Sequence, residues 1–261
     1  MQTIFGAGSL WGTPLTDATG AAVAVPSPVQ FGLSQEISID MSFDNKLLYG
    51  QNQFPVKAGR GKGKISGKVK NAQVNGAMWN SIFFGQTLSA GIANIKQDSV
   101  GILIPATPFT ITAGAADSLV AIKIPDAGTW ATDLGVVTAG GLPMKRVTAA
   151  PATGQYTVSA GVYLFAAADL GLKVFINYGY TAASTVATKS SVANLPMGYA
   201  PTFRADILLP FEGKAVTYTF YSCLASKLTV ATKLDDFVVP EIDFDCFADA
   251  QGRIFDYSMS E

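Results

Sequence analysis

The chain has 261 residues and not one histidine. That absence removes the commonest general base and the commonest metal ligand. No Ser-His-Asp or Cys-His arrangement can be built, and no Cys/His zinc site. Charge is scarce too. Asp, Glu, Lys and Arg make up 14% of the chain, against ~25% in an average domain. The net charge of −1 argues against holding nucleic acid by counterion release, which needs a strongly basic surface. It leaves room for a surface that nucleic acid slides past. Cysteine is nearly missing. Cys223 and Cys246 lie in apolar, strand-like stretches and read as buried free thiols of a reducing compartment. A disulfide between them stays open as an alternative. No apolar run approaches the ~20 residues that span a bilayer. The opening Met1-Gln2-Thr3-Ile4-Phe5 has neither the basic nor the apolar region of a secretory signal. The expectation is a protein made in the cytoplasm, with no membrane insertion by this chain.

Hydrophobic residues make up 49% of the chain, and 26 Gly and 13 Pro are spread along it. This suits many short strands joined by tight turns, and surfaces that partners cover. The length suits one large all-β domain, or a domain carrying an insertion, and is enough to bury a core without disulfides or metals.

Residues 1–30, rich in Gly, Thr, Ala and Pro, read as an N-terminal arm. Its Gly6-Ala7-Gly8-Ser9-Leu10-Trp11-Gly12 follows no strand and opens no helix, so it is not a dinucleotide loop. Trp11 is a candidate anchor on a neighbouring subunit. From Leu33 the alternation is clean: Ile37, Ile39, Met41 and Phe43 share one face, and Glu36, Ser38, Asp40, Ser42 and Asp44 the other. That is a strand with one buried and one wet, acidic face. Leu47 to Pro55 reads as a loop that carries contacts. In the next strand Lys62, Lys64, Lys68 and Lys70 share one face, with Gly63, Ile65, Gly67 and Val69 opposite. It is no phosphate loop, because Ile65 rather than Ser or Thr follows Lys64. No aromatics interleave to stack bases, so a solvated or partner-facing strand is favoured over a nucleic-acid stripe. Asn75 is a candidate N-cap for a helix over 76–84, closed by Gly85 in the left-handed conformation.

Four divisions result: the arm 1–30, a first part of the main β-domain over 31–100, an inserted accessory β-module over 101–185, and a second part over 186–261. Thr181–Asn194 is the expected exit linker of the module. In the last part Glu241, Asp243 and Asp245 alternate with Ile242, Phe244 and Cys246. The trio lacks the Gly-containing loop that wraps a hard cation. Asp235 and Asp236 are adjacent and read as a loop pair, not an acid/base dyad. No cofactor is expected.

Three strands thus carry a uniform charged face, acidic, basic and acidic. Like charges on one strand repel unless they are solvated or matched. Either the basic strand pairs with an acidic one, within the subunit or across an interface, or one stripe lines a wet channel. The reading adopted here sets Glu36, Asp40, Asp44, Glu241, Asp243 and Asp245 along a lumen, and Lys62, Lys64, Lys68 and Lys70 against an acidic neighbouring subunit.

Residues 33–85 resemble the core of the tail tube proteins of long-tailed bacteriophages. The resemblance rests on Ser34-Gln35-Glu36-Ile37-Ser38-Ile39-Asp40-Met41-Ser42-Phe43, on Leu48-Tyr49-Gly50-Gln51-Asn52-Gln53-Phe54-Pro55-Val56, and on the Gly/Lys strand and helix ending Phe83-Phe84-Gly85. Ile242-Asp243-Phe244 before Ala250-Gln251-Gly252-Arg253, and the opening Phe5-Gly6-Ala7-Gly8, are similar as well. The segment from Gly154 to Phe165 resembles a β-module inserted in some phage structural proteins. The resemblance covers about half the chain by texture and order, without a catalytic signature. It implies an all-β sandwich or barrel-like subunit with one short helix. Six copies would close a ring, and rings would stack into the virion's tail tube, through which DNA passes without specific contacts. The arm with Trp11 and the 45–56 loop with Tyr49 and Phe54 become candidate ring-to-ring contacts. Further partners would be a tape measure protein, a terminator and a sheath. Other expectations from the composition are a head decoration or connector protein, or a ligand- or carbohydrate-binding β-sandwich. An enzyme is not expected.

Overall fold

The structure, a computed structural model, describes residues 6–73, 75–105, 119–184 and 187–259. Phe5 of the expected arm and residues 185–186 of the expected linker lie outside them. The fold is all-β with one short helix. The chain begins with β1 (Ser9–Pro14), β2 (Val29–Gln30), β3 (Ser34–Tyr49), β4 (Pro55–Asn71) and α1 (Gly76–Trp79). It continues through β5 (Ser89–Ala90), β6 (Ile92–Lys96), β7 (Ile102–Leu103), β8 (Leu119–Lys123) and β9 (Trp130–Thr138). Next come β10 (Lys145–Arg146), β11 (Gln155–Ser159), β12 (Val162–Ala166), β13 (Lys173–Ala182) and β14 (Thr188–Lys189). It ends with β15 (Thr202–Phe211), β16 (Lys214–Thr229), β17 (Glu241–Cys246) and β18 (Phe255–Met259). Two compact units result, one of Met1–Thr87 with Ser190–Glu261, the other of Leu88–Lys189.

The larger unit is a sheet in the order β2-β1-β15-β16-β17-β4-β3, with β18 also paired to β16. Its core follows from period-two alternation. Ile65, Val69, Ile242 and Phe244 from β4 and β17 meet Leu10, Phe203 and Phe220 from β1, β15 and β16, all buried. Gly67 pairs with Phe244 and lies beneath its ring; a Cβ there would come within 2.1 Å of Phe244 Cζ. The glycine is thus the hole that the phenyl ring fills. α1 closes the core with Met78, and Ile82 follows it. Asn75 Oδ1 accepts the Met78 N–H at 3.1 Å, the expected cap. After one turn the helix widens to a π-turn over Asn80–Phe84, and Gly85 ends it at φ 60°. The buried Asn80 holds this exit, its Nδ2 donating to the Gln86 carbonyl at 2.7 Å.

Two expectations are corrected. Residues 9–14 are no free arm: β1 pairs with β15 along its whole length, and Leu10 is fully buried. Gly12 makes room for Ile82, whose Cδ1 would lie 2.5 Å from a Cβ at that position. Trp11 is half-buried within β1, opposite Asp206. The second unit is also wider than 101–185, because β6 pairs with β13 and β5 with β14. Cys223 and Cys246 face each other across β16 and β17 as free thiols, sulfurs 3.5 Å apart.

The smaller unit has a sheet in the order β10-β11-β12-β8 and another in which β6, β7 and β9 pair with β13. Asp133 on β9 is nearly buried and accepts the Tyr156 hydroxyl at 2.7 Å and the Tyr163 hydroxyl at 3.1 Å. It thereby fastens one sheet to the other. Burial, and then the Asp133 carboxylate beside them, push both phenols above their ordinary range.

The Gly67–Phe244 contact makes a test of this packing. Gly67→Ala is expected to cost about 1–3 kcal/mol by overpacking and to lower the thermal midpoint of unfolding. Gly59→Ala, where nothing lies within 4 Å of the new Cβ, should leave the midpoint unchanged.

Candidate functional site

One face of the larger sheet gathers a cluster of charged residues from three neighbouring strands. β4 is central there, with β17 on one side and β3 on the other. Lys70 stands between Glu36 and Glu241, Lys68 between Ser38 and Asp243, and Ser66 between Asp40 and Asp245. Lys227 on β16 faces Asp243 from the far side. Lys68 Nζ lies 2.6 Å from Glu241 Oε1, Lys64 Nζ lies 3.4 Å from Asp245 Oδ1, and Lys70 bonds Glu36. Glu241 is held below its ordinary range by the Lys68 hydrogen bond, and the same bond raises Lys68. One carboxylate oxygen, Asp243 Oδ1, is buried without a hydrogen-bond partner.

Three of the four lysines expected against a neighbouring subunit, Lys64, Lys68 and Lys70, have carboxylate partners within their own chain. The sheet order puts Lys68 and Lys70 between two acidic strands, and Lys64 reaches Asp245 from one residue beyond the last pair with β17. The acidic stripes are correspondingly not bare: the face they share is nearly neutral. Asp44 and Lys62 fall outside it, further along β3 and β4.

Beyond this face β3 and β4 continue with no third strand among the described residues. Ile65 is the last residue of β4 to pair with β17. From Met41 to Lys64 every residue is exposed, although pairing between β3 and β4 runs on to Tyr49 and Pro55. The result is a free two-stranded ribbon, roughly 30 Å long at about 3.3 Å per residue. Its residues are not those of a solvated hairpin. Met41, Phe43, Leu47, Leu48, Tyr49, Phe54 and Val56 are exposed, Phe54 at 79%. Between Asn45 and Gly63 stand Lys46, Lys57, Arg60 and Lys62, and no carboxylate. Arg60 lies over the Phe43 ring, 4.2 Å from its centre. Gly59, Gly61 and Gly63 alternate with Arg60, Lys62 and Lys64; Gly63 makes room for the Phe43 ring, whose Cε1 would lie 2.8 Å from a Cβ there, while Gly59 is open.

Tyr49 and Phe54, expected in a contact loop, are thus at the tip of the ribbon, whereas Trp11 is in the body of the sheet. Sequence reasoning missed the apolar pair Leu234 and Phe237, exposed at 99% and 90% in the connection between β16 and β17. The available signal was two large apolar residues flanking Asp235-Asp236 with no strand alternation around them. Among the described residues no group of three or more His, Cys, Asp or Glu is placed to hold a metal ion, and no helix is long and apolar enough to cross a membrane.

The Lys68–Glu241 bond carries a pH dependence. Glu241, depressed when folded, stabilises above its ordinary value of 4.5, and that contribution is lost as pH falls through the lower folded value. Lys68, raised when folded, stabilises below 10.5, and its contribution is lost as pH rises through the higher folded value. Lys68→Gln should therefore lower the thermal midpoint slightly at neutral pH. The difference from the wild type should shrink in acid below 4.5 and in base above 10.5. Midpoints recorded across pH check this. A difference that stays constant into strong acid would contradict it.

No protein-family model matches the chain, and no curated protein matches it in sequence.

Proposed function

We propose that this chain is a self-assembling structural protein, the tube-forming subunit of a bacteriophage tail. The observation that carries the reading is the ribbon. A two-stranded hairpin is marginal in water by itself, and contiguous exposed apolar surface marks an interaction site. A ribbon exposed on both faces, with seven large apolar side chains, calls for a partner.

The rest of the larger unit suits this role. β3 and β2 end the order of the sheet, and a closed ring of subunits would cover such edges. In the ring the charged face of β3, β4 and β17 would line the channel. Its ion-paired, nearly neutral surface suits the passage of DNA, since a wall of unpaired lysines would bind phosphates and hold it. The low overall charge of the chain fits surfaces that spend their life covered.

The test is direct. The purified protein, viewed by electron microscopy, should form rings or tubes. Replacing residues 46–60 by a tight Asn-Gly turn should abolish tubes and leave folded, dispersed subunits with unchanged circular dichroism of the remaining sheets. A wild-type protein that stays monomeric at every concentration and salt tried would overturn the reading, whereas tubes that persist without the ribbon would keep the subunit tube-forming and remove the ribbon from its assembly.

A further inference from the structure

The connection between β16 and β17 leaves the sheet at a definite place. Thr229 pairs with Glu241, and Glu241 pairs with Lys70. Residues 230–240 therefore sit at the end of β4 opposite the ribbon tip. At about 3.3 Å per residue, Pro55 and Lys70 are roughly 50 Å apart along the strand. At this far end Leu234 and Phe237 are almost wholly exposed, with Val230 half-exposed beside them. The turn between them is shaped by a bridge and an ion pair between Lys233 and Asp236, at 3.7 Å. That pairing leaves Asp235 without an ion pair among the described residues. The loop is thus an apolar knob with spare negative charge. The ribbon is apolar with spare positive charge, from Lys46, Lys57, Arg60 and Lys62.

We propose that the ribbon of one copy docks on the 230–240 loop of a second copy, head to tail. The proposal rests on the self-assembly reading above and names the partner of the ribbon. The two surfaces match in chemistry, apolar against apolar and basic against acidic. They lie at opposite ends of the same strands, so one contact leaves a free ribbon at one end and a free loop at the other. Such a heterologous contact repeats without limit along one direction. A ribbon meeting a second ribbon would set like charges together and stop at a pair.

Two variants separate these cases. A loop variant carries Leu234→Ser with Phe237→Ser, and a ribbon variant carries Leu48→Ser with Phe54→Ser. All four positions are exposed, so both variants should unfold at the wild-type midpoint. By sedimentation and electron microscopy, each variant alone should need at least about tenfold more protein to stack than the wild type, as expected on removing aromatic and apolar anchors. Mixed together they should associate and stop at two layers, because each retains one competent end. Asp235→Lys should weaken stacking at low salt and less at high salt. A loop variant that stacks like the wild type overturns the proposal and leaves the tube reading standing. A ribbon variant that stacks unaided does the same. Stacking that appears only on addition of double-stranded DNA would assign the ribbon to nucleic acid and overturn it too. A wild-type protein that never associates removes both readings together.

Discussion

Lys68 and Lys70 stand in the middle of a sheet face whose two flanks are acidic, and Lys64 stands at its edge. The same three strands send Ile65, Val69, Ile242 and Phe244 the other way, into the core. A slip of one residue would bring lysines inside and leucine-sized side chains outside, so register is specified twice, once by burial and once by charge. The individual surface ion pairs add little. Their value lies in selecting one pairing of strands among several that the backbone would accept. The ribbon does not keep that register unchanged: it shifts between Phe43 and Asn45 and again between Leu48 and Tyr49. Its tip has no core beneath it to say which residue opposes which, and the shifts fall where neither burial nor the neutralised face specifies the pairing.

The larger unit therefore combines a tightly specified body with extremities that lack partners of their own. Gly67 under the Phe244 ring, Gly12 under Ile82 and the Asn80 exit of the helix all belong to the body. They show close packing with little tolerance for added volume. The ribbon and the 230–240 loop belong to the extremities, where large apolar side chains meet water. The contrast separates residues that hold one subunit together from those free to hold several.

Much of the larger unit was legible in the alternation of its residues. The strands at 34–43, 62–70 and 241–246 and the helix between Asn75 and Gly85 are written in periods of two and in capping residues. The order of the strands was not, because a charged stripe does not say whether its complement lies next door or on another molecule. β1 was hidden by its composition: its glycine, threonine and proline look like an arm, and only the burial of Leu10 shows that Gly12 is there to admit Ile82. β9 was hidden too, since Trp-Ala-Thr-Asp-Leu-Gly-Val-Val-Thr has no clean alternation and bulges in its pairing with β13. The free ribbon was half legible. The loop at 47–55 was visible as a contact segment, but strand alternation predicts a buried face for Met41 and Phe43, and nothing in one sequence says that the sheet ends before reaching them.

The pairing of β5 with β14 has a bearing on how the chain folds. About a hundred residues separate the two halves of the larger unit, yet they leave and return through adjacent strands, which lie about 4.8 Å apart in a sheet. Once the smaller unit has formed, what was a long loop acts as a connection a few residues long. Each halving of loop length saves about 0.6 kcal/mol of closure entropy, so shortening the connection from β4 to β15 roughly fourfold is worth about 1 kcal/mol to the sheet around it. The insertion then serves its host as a splint, bringing β4 and β15 within reach of one another. Its outer loops could be lengthened or exchanged without disturbing the core, provided that the two strands at its neck remain zipped.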